Sequence, residues 1–317
     1  MGLKFGFAAL PSFDGWKPDI QANYGGSGRK TGLIGPDGTR YMVKFAKKQA
    51  PRSDLSTSYV NNVISEHIAS RILDILGYPV HETALGTLNG EVVVVCRNFI
   101  PPDGVLIEFD KFLRRRYATH GFDRLPDISQ IYEILETDPE LSVQSDRFKA
   151  CYWERFVGDA LIGNFDRHMG DFGYLIEADG SVSASPIYDN GGALYHELSE
   201  QKMREVLMKR VRLSPKAALK INGKEASHYD VMSSGIYSEL TDAVVSLTPR
   251  IRESMPAVRE FIDGCGFLSD VRRDFYKFVL AESMRLILEP AYSRCVSRKF
   301  GPDAGNGFNS DAGFEDC

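Results

Sequence analysis

Apolar and polar residues alternate in two short segments near the start of the chain. Gly32–Ile34 and Tyr41–Phe45 lie on either side of Gly35-Pro36-Asp37-Gly38. A Pro-Asp-Gly sequence between two apolar segments is typical of a tight turn, so this order predicts a β-hairpin. A glycine-rich segment containing Gly25, Gly26 and Gly28 precedes the hairpin.

The apolar period becomes helical between Tyr59 and Leu76. Four apolar residues at intervals of four share one face of the predicted helix: Val60, Ile64, Ile68 and Ile72. Gly77 is a candidate C-cap, and Pro79 prevents the helix from resuming.

Two further strands are predicted after this helix, Val80–Leu88 and Val92–Cys96, joined by a turn at Asn89-Gly90. Pro101-Pro102-Asp103-Gly104 then interrupts the pattern. We place the boundary between an N-terminal lobe, residues 1–100, and a second lobe here.

The second lobe, residues 101–296, is predicted to be mainly helical. One helix is capped by Asp146 and ends at Gly163, and another runs from Leu268 to Leu288 and is stopped by Pro290. A strand pair lies between them, at Phe172–Glu177 and Ser181–Ile187. From Ser297 to residue 317 the chain is rich in Gly, Asn, Asp and Ser, which predicts a disordered tail.

Composition limits the classes of function. The 317 residues are 43% hydrophobic and 26% charged, as in a soluble globular protein. The net charge of −5 argues against direct nucleic-acid binding, which usually requires a basic excess. No signal-peptide pattern is present, and no apolar run approaches the roughly 20 residues that cross a membrane. A cytoplasmic location is therefore predicted, and the sequence leaves export open.

The five cysteines are scattered and include no CxxC pair, so reduced thiols are predicted rather than a zinc site.

Acidic residues on two separate bends carry the strongest chemical signal. Asp166 and Asp171 flank His168 in a turn after a predicted helix, and Asp189 follows the predicted strand pair. The five-residue step between the first two acids equals the step from base to metal ligand in the catalytic loop of protein kinases. Carboxylate oxygens are the ligands that Mg²⁺ prefers. His168 has no second histidine at helical spacing, which argues against zinc.

Two weaker signals lie upstream. The glycine segment is not a Walker loop, and a glycine-rich turn before a strand is more often a plain turn, although its amides and Lys30 could bind phosphate oxygens. Lys44 stands between apolar strand residues, where it faces either solvent or a nucleotide cleft. In the second case Glu66, on the next helix, is its expected partner, as in protein kinases. The signals together favour a phosphotransferase.

At these residues the chain resembles the HipA-like serine/threonine kinases, whose signature reads roughly GNxDRHxxN followed by PxYD. The matching segments are GNFDRHMGDFGYLI and SPIYDNGGAL. The likeness covers about Asn23 to Leu194, and the short length is similar to the compact, CtkA-like branch of the family. It implies an α+β, two-lobed protein-kinase-like fold, with a small β-rich N-lobe and a larger, mainly helical C-lobe.

The resemblance also implies roles for individual residues. Asp166 matches the catalytic base, and Asp171 and Asp189 match the ligands of Mg²⁺. Asp171 stands where the family usually has Asn. Asn23 aligns with an autophosphorylated serine of one family branch, and Ser27 is the nearby candidate. The ATP-binding residues that it implies are Gly25, Gly26, Ser27, Gly28, Arg29, Lys30, Lys44, Glu66, Arg97, Asn98, Phe99, His168 and Tyr188.

The predicted function is an ATP- and Mg²⁺-dependent serine/threonine protein kinase that autophosphorylates and acts as a toxin or effector. Its expected partners are a protein substrate with a Ser or Thr acceptor and an antitoxin or other small partner protein. Two alternatives stay open, a lipid or small-molecule kinase and a nucleotide-binding pseudokinase in a toxin–antitoxin complex.

Overall fold

The computed structural model describes residues 10–22, 24, 28–46, 62–117, 125–211 and 216–301. Its N-terminal part is an antiparallel sheet with the strand order β1-β2-β3-β5-β4. The strands are β1 (Lys17–Pro18), β2 (Lys30–Ile34), β3 (Arg40–Phe45), β4 (Thr83–Leu88) and β5 (Glu91–Arg97). The predicted hairpin is confirmed as β2 and β3, with Lys30 opposite Lys44.

Helix α1 (Asn62–Ile75) packs on one face of this sheet. Ile64, Ile68 and Ile72 are buried, as the helical period predicts, and Gly77 ends the helix with a φ of +79°. A left-handed residue at this position is the common way to satisfy the last carbonyls of a helix. Residues 59–61 of the predicted helix lie outside the described ranges.

The C-terminal part is mainly helical. A small sheet has the order β6-β7-β8, and β9 and β10 form a hairpin. The elements are β6 (Val105–Glu108), α2 (Phe109–Tyr117), α3 (Ile128–Thr137), α4 (Ser145–Ile162), β7 (Gly173–Ile176), β8 (Val182–Ala184), α5 (Glu200–Lys209), β9 (Lys216–Ile221), β10 (Lys224–Ser227), α6 (His228–Ser233), α7 (Ser238–Gly264), α8 (Asp270–Ser283) and α9 (Glu289–Phe300).

Three predicted boundaries are wrong. A 3-10 turn, Ser142–Gln144, leads directly into α4, so Asp146 lies in the first helical turn and does not cap it. Pro290 does not stop the last predicted helix. A π turn, Met284–Leu288, joins α8 to α9 and brings Pro290 into the first turn of α9, where a missing N–H costs no hydrogen bond. Ser297 is therefore helical, because α9 extends to Phe300.

The two parts share one hydrophobic core. Buried residues of α1 and β5 contact those of α4, α7 and α8 in a continuous cluster, in which Ile68, Val94 and Trp153 are fully buried. A separate, smaller cluster covers the other face of the N-terminal sheet. Within the described residues, no helix is long and apolar enough to cross a membrane.

Candidate active site

Lys44 lies inside the molecule and not on a solvent face, since only 8% of its side chain is exposed. Alternation along β3 directs it toward α1. Its Nζ lies 2.8 Å from Glu66 Oε2 and 3.1 Å from Asp189 Oδ1. Burial alone would lower the pKa of Lys44, but the two carboxylates raise it above its ordinary value. The lysine is therefore charged and links the sheet, α1 and the second acidic bend.

Glu66 is fully bonded at the centre of this arrangement. Its Oε1 lies 3.1 Å from His81 Nε2 and accepts a hydrogen bond of 3.1 Å from the backbone N–H of Asn190. The hydroxyl of Ser70 lies 3.2 Å from His81 Nε2 and accepts from the Asn190 amide at 2.9 Å. Burial would raise the pKa of Glu66, but Lys44 and His81 lower it far below the usual range.

Asp166 is exposed on the turn that follows α4. Helix α4 ends at Gly163, whose φ of +64° turns the chain away from the helix axis. The next residue after Asp166, Arg167, points inward and forms a bidentate pair with Asp159 of α4, at 2.8 and 2.9 Å. The arginine therefore fixes the direction in which its neighbour Asp166 projects.

Arg167 also binds the second acidic bend. Its guanidinium donates to the carbonyls of Tyr188 and Asp189 and, at 2.6 Å, to the side-chain oxygen of Asn190. These bonds support Asp189 in a left-handed conformation, with a φ of +57°, that non-glycine residues rarely adopt. Strained backbone of this kind is frequent at functional sites.

Two glycines after Asn190 allow the second acidic bend to pass close to Glu66 and Asp166. A Cβ on Gly191 would lie 3.1 Å from Glu66 Oε2, and one on Gly192 would lie 3.0 Å from Asp166 Cβ. Such distances are tighter than ordinary contacts, so side chains here would push the bend away from the cleft. The glycines bring the Lys44–Glu66 pair and the Asp166 turn to the same loop.

Asp171 is buried beside His168. Its Oδ2 accepts a hydrogen bond of 3.1 Å from the His168 backbone, and its Oδ1 lies 3.2 Å from His168 Nδ1. Burial, and then repulsion by Asp189, raise the pKa of Asp171 well above its usual range. Burial would also raise the pKa of Asp189, but Lys44 lowers it. Two carboxylates that repel each other across a cleft are a suitable donor set for a hard divalent cation.

The predicted adenine contacts lie at the end of β5. Arg97 is its last residue, and Asn98 and Phe99 follow it. The ring of Phe99 stacks on Tyr188 at a centroid distance of 5.5 Å, and the Tyr188 hydroxyl donates to the Gly170 carbonyl at 3.0 Å. Arg97 instead pairs with Glu82 at 2.8 Å on the exposed side of the sheet. Asn98 accepts from the backbone of Ile100. Phe99 is thus the one of the three that packs on the predicted site.

The predicted phosphate loop is described only in part, because Gly25, Gly26 and Ser27 lie outside the described ranges, as does Asn23. Lys30 shares a sheet face with Lys44, its partner across the β2–β3 pair. Arg29 turns to the other face, where it contacts Phe45 and pairs with Glu91 at 2.6 Å.

A second cluster of metal-ligand types lies behind Lys44. Donor atoms of Glu66, His81 and Cys96 are within 4.8 Å of one another. The Glu66 carboxylate is already bonded to Lys44, and burial raises the pKa of the Cys96 thiol, so the thiol stays protonated. This chemistry does not suit zinc, which binds the thiolate.

The sequence reasoning did not assign His81, Asp159, Arg167 or Asn190. Asp159 had a visible signal, because it is the one acid in the apolar segment Phe156–Ile162 that ends α4. A buried acid among apolar residues usually has a charged partner. His81 had no local signal, since its contact with Glu66 joins separate elements.

The fold and the site together define a kinase-like phosphotransferase, in which a β-rich part and a helical part meet at a lysine–glutamate pair and two acidic bends. Residues 20–263 match the HipA-like C-terminal domain, and the chain belongs to this family. The serine/threonine-protein kinase CtkA of Helicobacter pylori strain J99 is 28% identical over 280 residues, which cover 86% of this chain and 84% of that protein.

The crystal structure of the H. pylori proinflammatory kinase CtkA superposes with a TM-score of 0.82 at 26% identity. The match covers 91% of this chain and 98% of that one. The α+β, two-lobed kinase-like fold predicted from the sequence is thereby confirmed.

Proposed function

We propose that this protein is an ATP- and Mg²⁺-dependent serine/threonine protein kinase. The observation that carries the proposal is the contact of Lys44 with both Glu66 and Asp189, next to the turn that carries Asp166. Protein kinases hold the nucleotide phosphates with such a lysine–glutamate pair. The name of the CtkA relative supports serine and threonine as the acceptors.

The carboxylates of Asp171, which is buried, and Asp189, whose side chain is 41% exposed, suit Mg²⁺, because hard oxygen donors in a cleft are its usual ligands. When held by these carboxylates, Mg²⁺ would neutralise negative charge on the phosphates of ATP. Lys44 would hold the phosphates, with Lys30 on the same sheet face. Phe99 and Tyr188 would contact the base, and Asp166, exposed on its turn, would accept the proton of the acceptor hydroxyl.

Asp166, Lys44 and Asp189 are all present, which favours an active kinase over a nucleotide-binding pseudokinase. Ser27 is proposed as the autophosphorylation site, and a partner protein of the antitoxin type is proposed from the family alone. A lipid or small-molecule kinase is the second candidate, since the DRH sequence at Asp166 is also found in lipid kinases.

Incubation of the full chain with labelled ATP and Mg²⁺ tests the proposal. The mixture contains a general protein acceptor, phospholipid vesicles and the protein itself, and phosphosites are mapped by mass spectrometry. We expect phosphoserine or phosphothreonine. Label confined to lipid would establish the second candidate, and ATP binding with no transfer would establish a pseudokinase.

The matched control is Asp166→Asn, which removes the proton acceptor and leaves the proposed metal ligands. Turnover should fall by roughly 10²-fold or more, the usual range for general-base catalysis, with little change in ATP affinity. Turnover close to that of the unmodified chain would remove Asp166 from the catalytic role.

A further inference from the structure

Arg155 is a buried cation without a carboxylate partner. It lies on α4 with 7% of its surface exposed, and in the part of the chain that the structure describes it forms no ion pair. Its Nη2 donates to the Ser185 carbonyl at 3.2 Å, but Nε and Nη1 have no hydrogen-bond partner among the described residues. The ring of Phe172, 5.0 Å from the guanidinium carbon, offers a cation–π contact but no negative charge.

Arg155 lines a small cavity beside the turn that carries Asp166. The walls include Asp159, Asn164, Arg167 and Phe172. The cavity measures about 20 Å³, which is enough for one water molecule or one monatomic ion. A phosphate or an organic acid is too large to enter it whole.

The charges around the cavity do not balance. Arg155 and Arg167 are cationic, and Asp159 is the one acid among the lining residues. Both oxygens of Asp159 are already used by Arg167. The lining residues therefore carry one positive charge that no carboxylate of the lining matches. A buried charge without a partner is strongly unfavourable. A water molecule could accept hydrogen bonds from Arg155 but could not neutralise it.

We propose that this cavity binds one monovalent halide ion, chloride under ordinary conditions, on the guanidinium of Arg155. The negative charge of the ion matches the excess positive charge of the lining residues, and its volume matches that of the cavity. Asn164 and Arg167, which belong to the turn that carries Asp166, form part of the wall. Occupancy of the site therefore stabilises the segment that positions Asp166.

Thermal unfolding of the full chain in sodium chloride and in sodium gluconate at equal ionic strength tests the site. Gluconate is monovalent but too large for the cavity. Chloride should raise the midpoint for the unmodified chain by about 2 °C or more, because it binds only the folded state. In Arg155→Met this chloride effect should vanish. The variant should still fold, since an apolar side chain of similar volume often replaces a buried ion without loss.

Arg147→Met is the matched control, because Arg147 lies on the same helix but is exposed and, within the described ranges, hydrogen-bonded to Gln144 alone. It should retain the full chloride effect. Crystals grown in bromide should show an anomalous peak beside Arg155 in the unmodified chain and none in Arg155→Met. An equal midpoint in both salts, or a chloride effect that survives in Arg155→Met, would overturn the proposal.

Discussion

At the scale of single residues, burial decides how much each charge of the cleft contributes to stability. Lys44 and Glu66 are 8% and 1% exposed, so solvent barely screens their attraction. The exposed Arg29–Glu91 pair has a similar length, 2.6 Å, but lies in water. Exposed pairs contribute little to stability, whereas removing one partner of a buried pair leaves an uncompensated charge.

Lys44→Ala should therefore lower the free energy of unfolding by about 3–5 kcal/mol, because Glu66 and Asp189 lose their common cation. ATP affinity and turnover should fall together. Arg29→Ala is the matched control and should change stability by less than about 1 kcal/mol. Urea unfolding and nucleotide titration measure both effects. Equal losses for the two variants would contradict the central position given to Lys44.

The raised pKa of Asp171 predicts how stability changes with pH. The sign of this change is opposite to that for an acid in an ordinary ion pair. Its pKa is raised in the folded chain above the usual 3.8, so the folded state holds the proton more tightly than the unfolded state. The resulting stability is complete below about pH 3.8 and is lost as pH rises through the folded-state pKa. Metal-free protein should therefore lose stability relative to Asp171→Asn as the pH rises from about 3.8 to neutral.

Urea unfolding of both proteins in EDTA across this range measures the difference. Asp171→Asn restores the commoner family residue and keeps an oxygen ligand, so it should also retain substantial phosphotransfer, whereas Asp189→Asn should not. A difference in unfolding free energy that does not vary with pH would show that Asp171 is ionised at no cost in the metal-free chain.

At the scale of elements, the Arg167–Asp159 pair joins α4 to both acidic bends. In Asp159→Asn, the buried Arg167 loses the carboxylate with which it forms its bidentate pair, and its bonds to Tyr188, Asp189 and Asn190 should weaken. We expect a loss of about 3–5 kcal/mol in unfolding free energy. Hydrogen exchange, followed by mass spectrometry, should accelerate between residues 185 and 194.

Glu289→Gln is the control for this prediction, because its bidentate pair with Arg252 also joins two segments but is about one-third exposed. It should alter exchange only near α7 and α9. If Asp159→Asn leaves exchange of the second bend unchanged, the bend is held by its other contacts, such as that of Asn190 with Glu66.

Elements that one local period defines could be predicted from the sequence, and those set by tertiary contacts could not. The hairpin β2–β3 and helix α1 follow from turn residues and apolar spacing. Helix α7 contains Pro249 and Pro256, which interrupt any local pattern, yet its buried face packs on α1 and α4. In the site, the acids stand in recognisable turns, whereas the contact of His81 with Glu66 depends on a bridge between Val80 and Ile187.

At the scale of the whole molecule, strands β3 and β5 belong to two hydrophobic clusters at once. Val94 and Cys96 face the large core that continues into the helices, whereas Val93, Val95 and Val43 face the smaller cluster near Trp16. If either cluster lost its packing, β3 and β5 would lose the contacts on one of their two faces. The N-terminal sheet and the helical part should therefore unfold as one cooperative unit.

The two tryptophans provide a test, because Trp16 lies against the small cluster and Trp153 is fully buried in the large one. Trp153→Phe leaves the first as reporter, and Trp16→Phe leaves the second. In each variant the urea midpoint from fluorescence should coincide with that from far-UV circular dichroism, as a two-state transition requires. Comparing the probes within one variant removes the loss of stability that Trp153→Phe itself causes. A fluorescence transition of Trp16 at a lower urea concentration than the circular dichroism transition would show that the N-terminal sheet unfolds separately. The shared core would then not couple the two lobes.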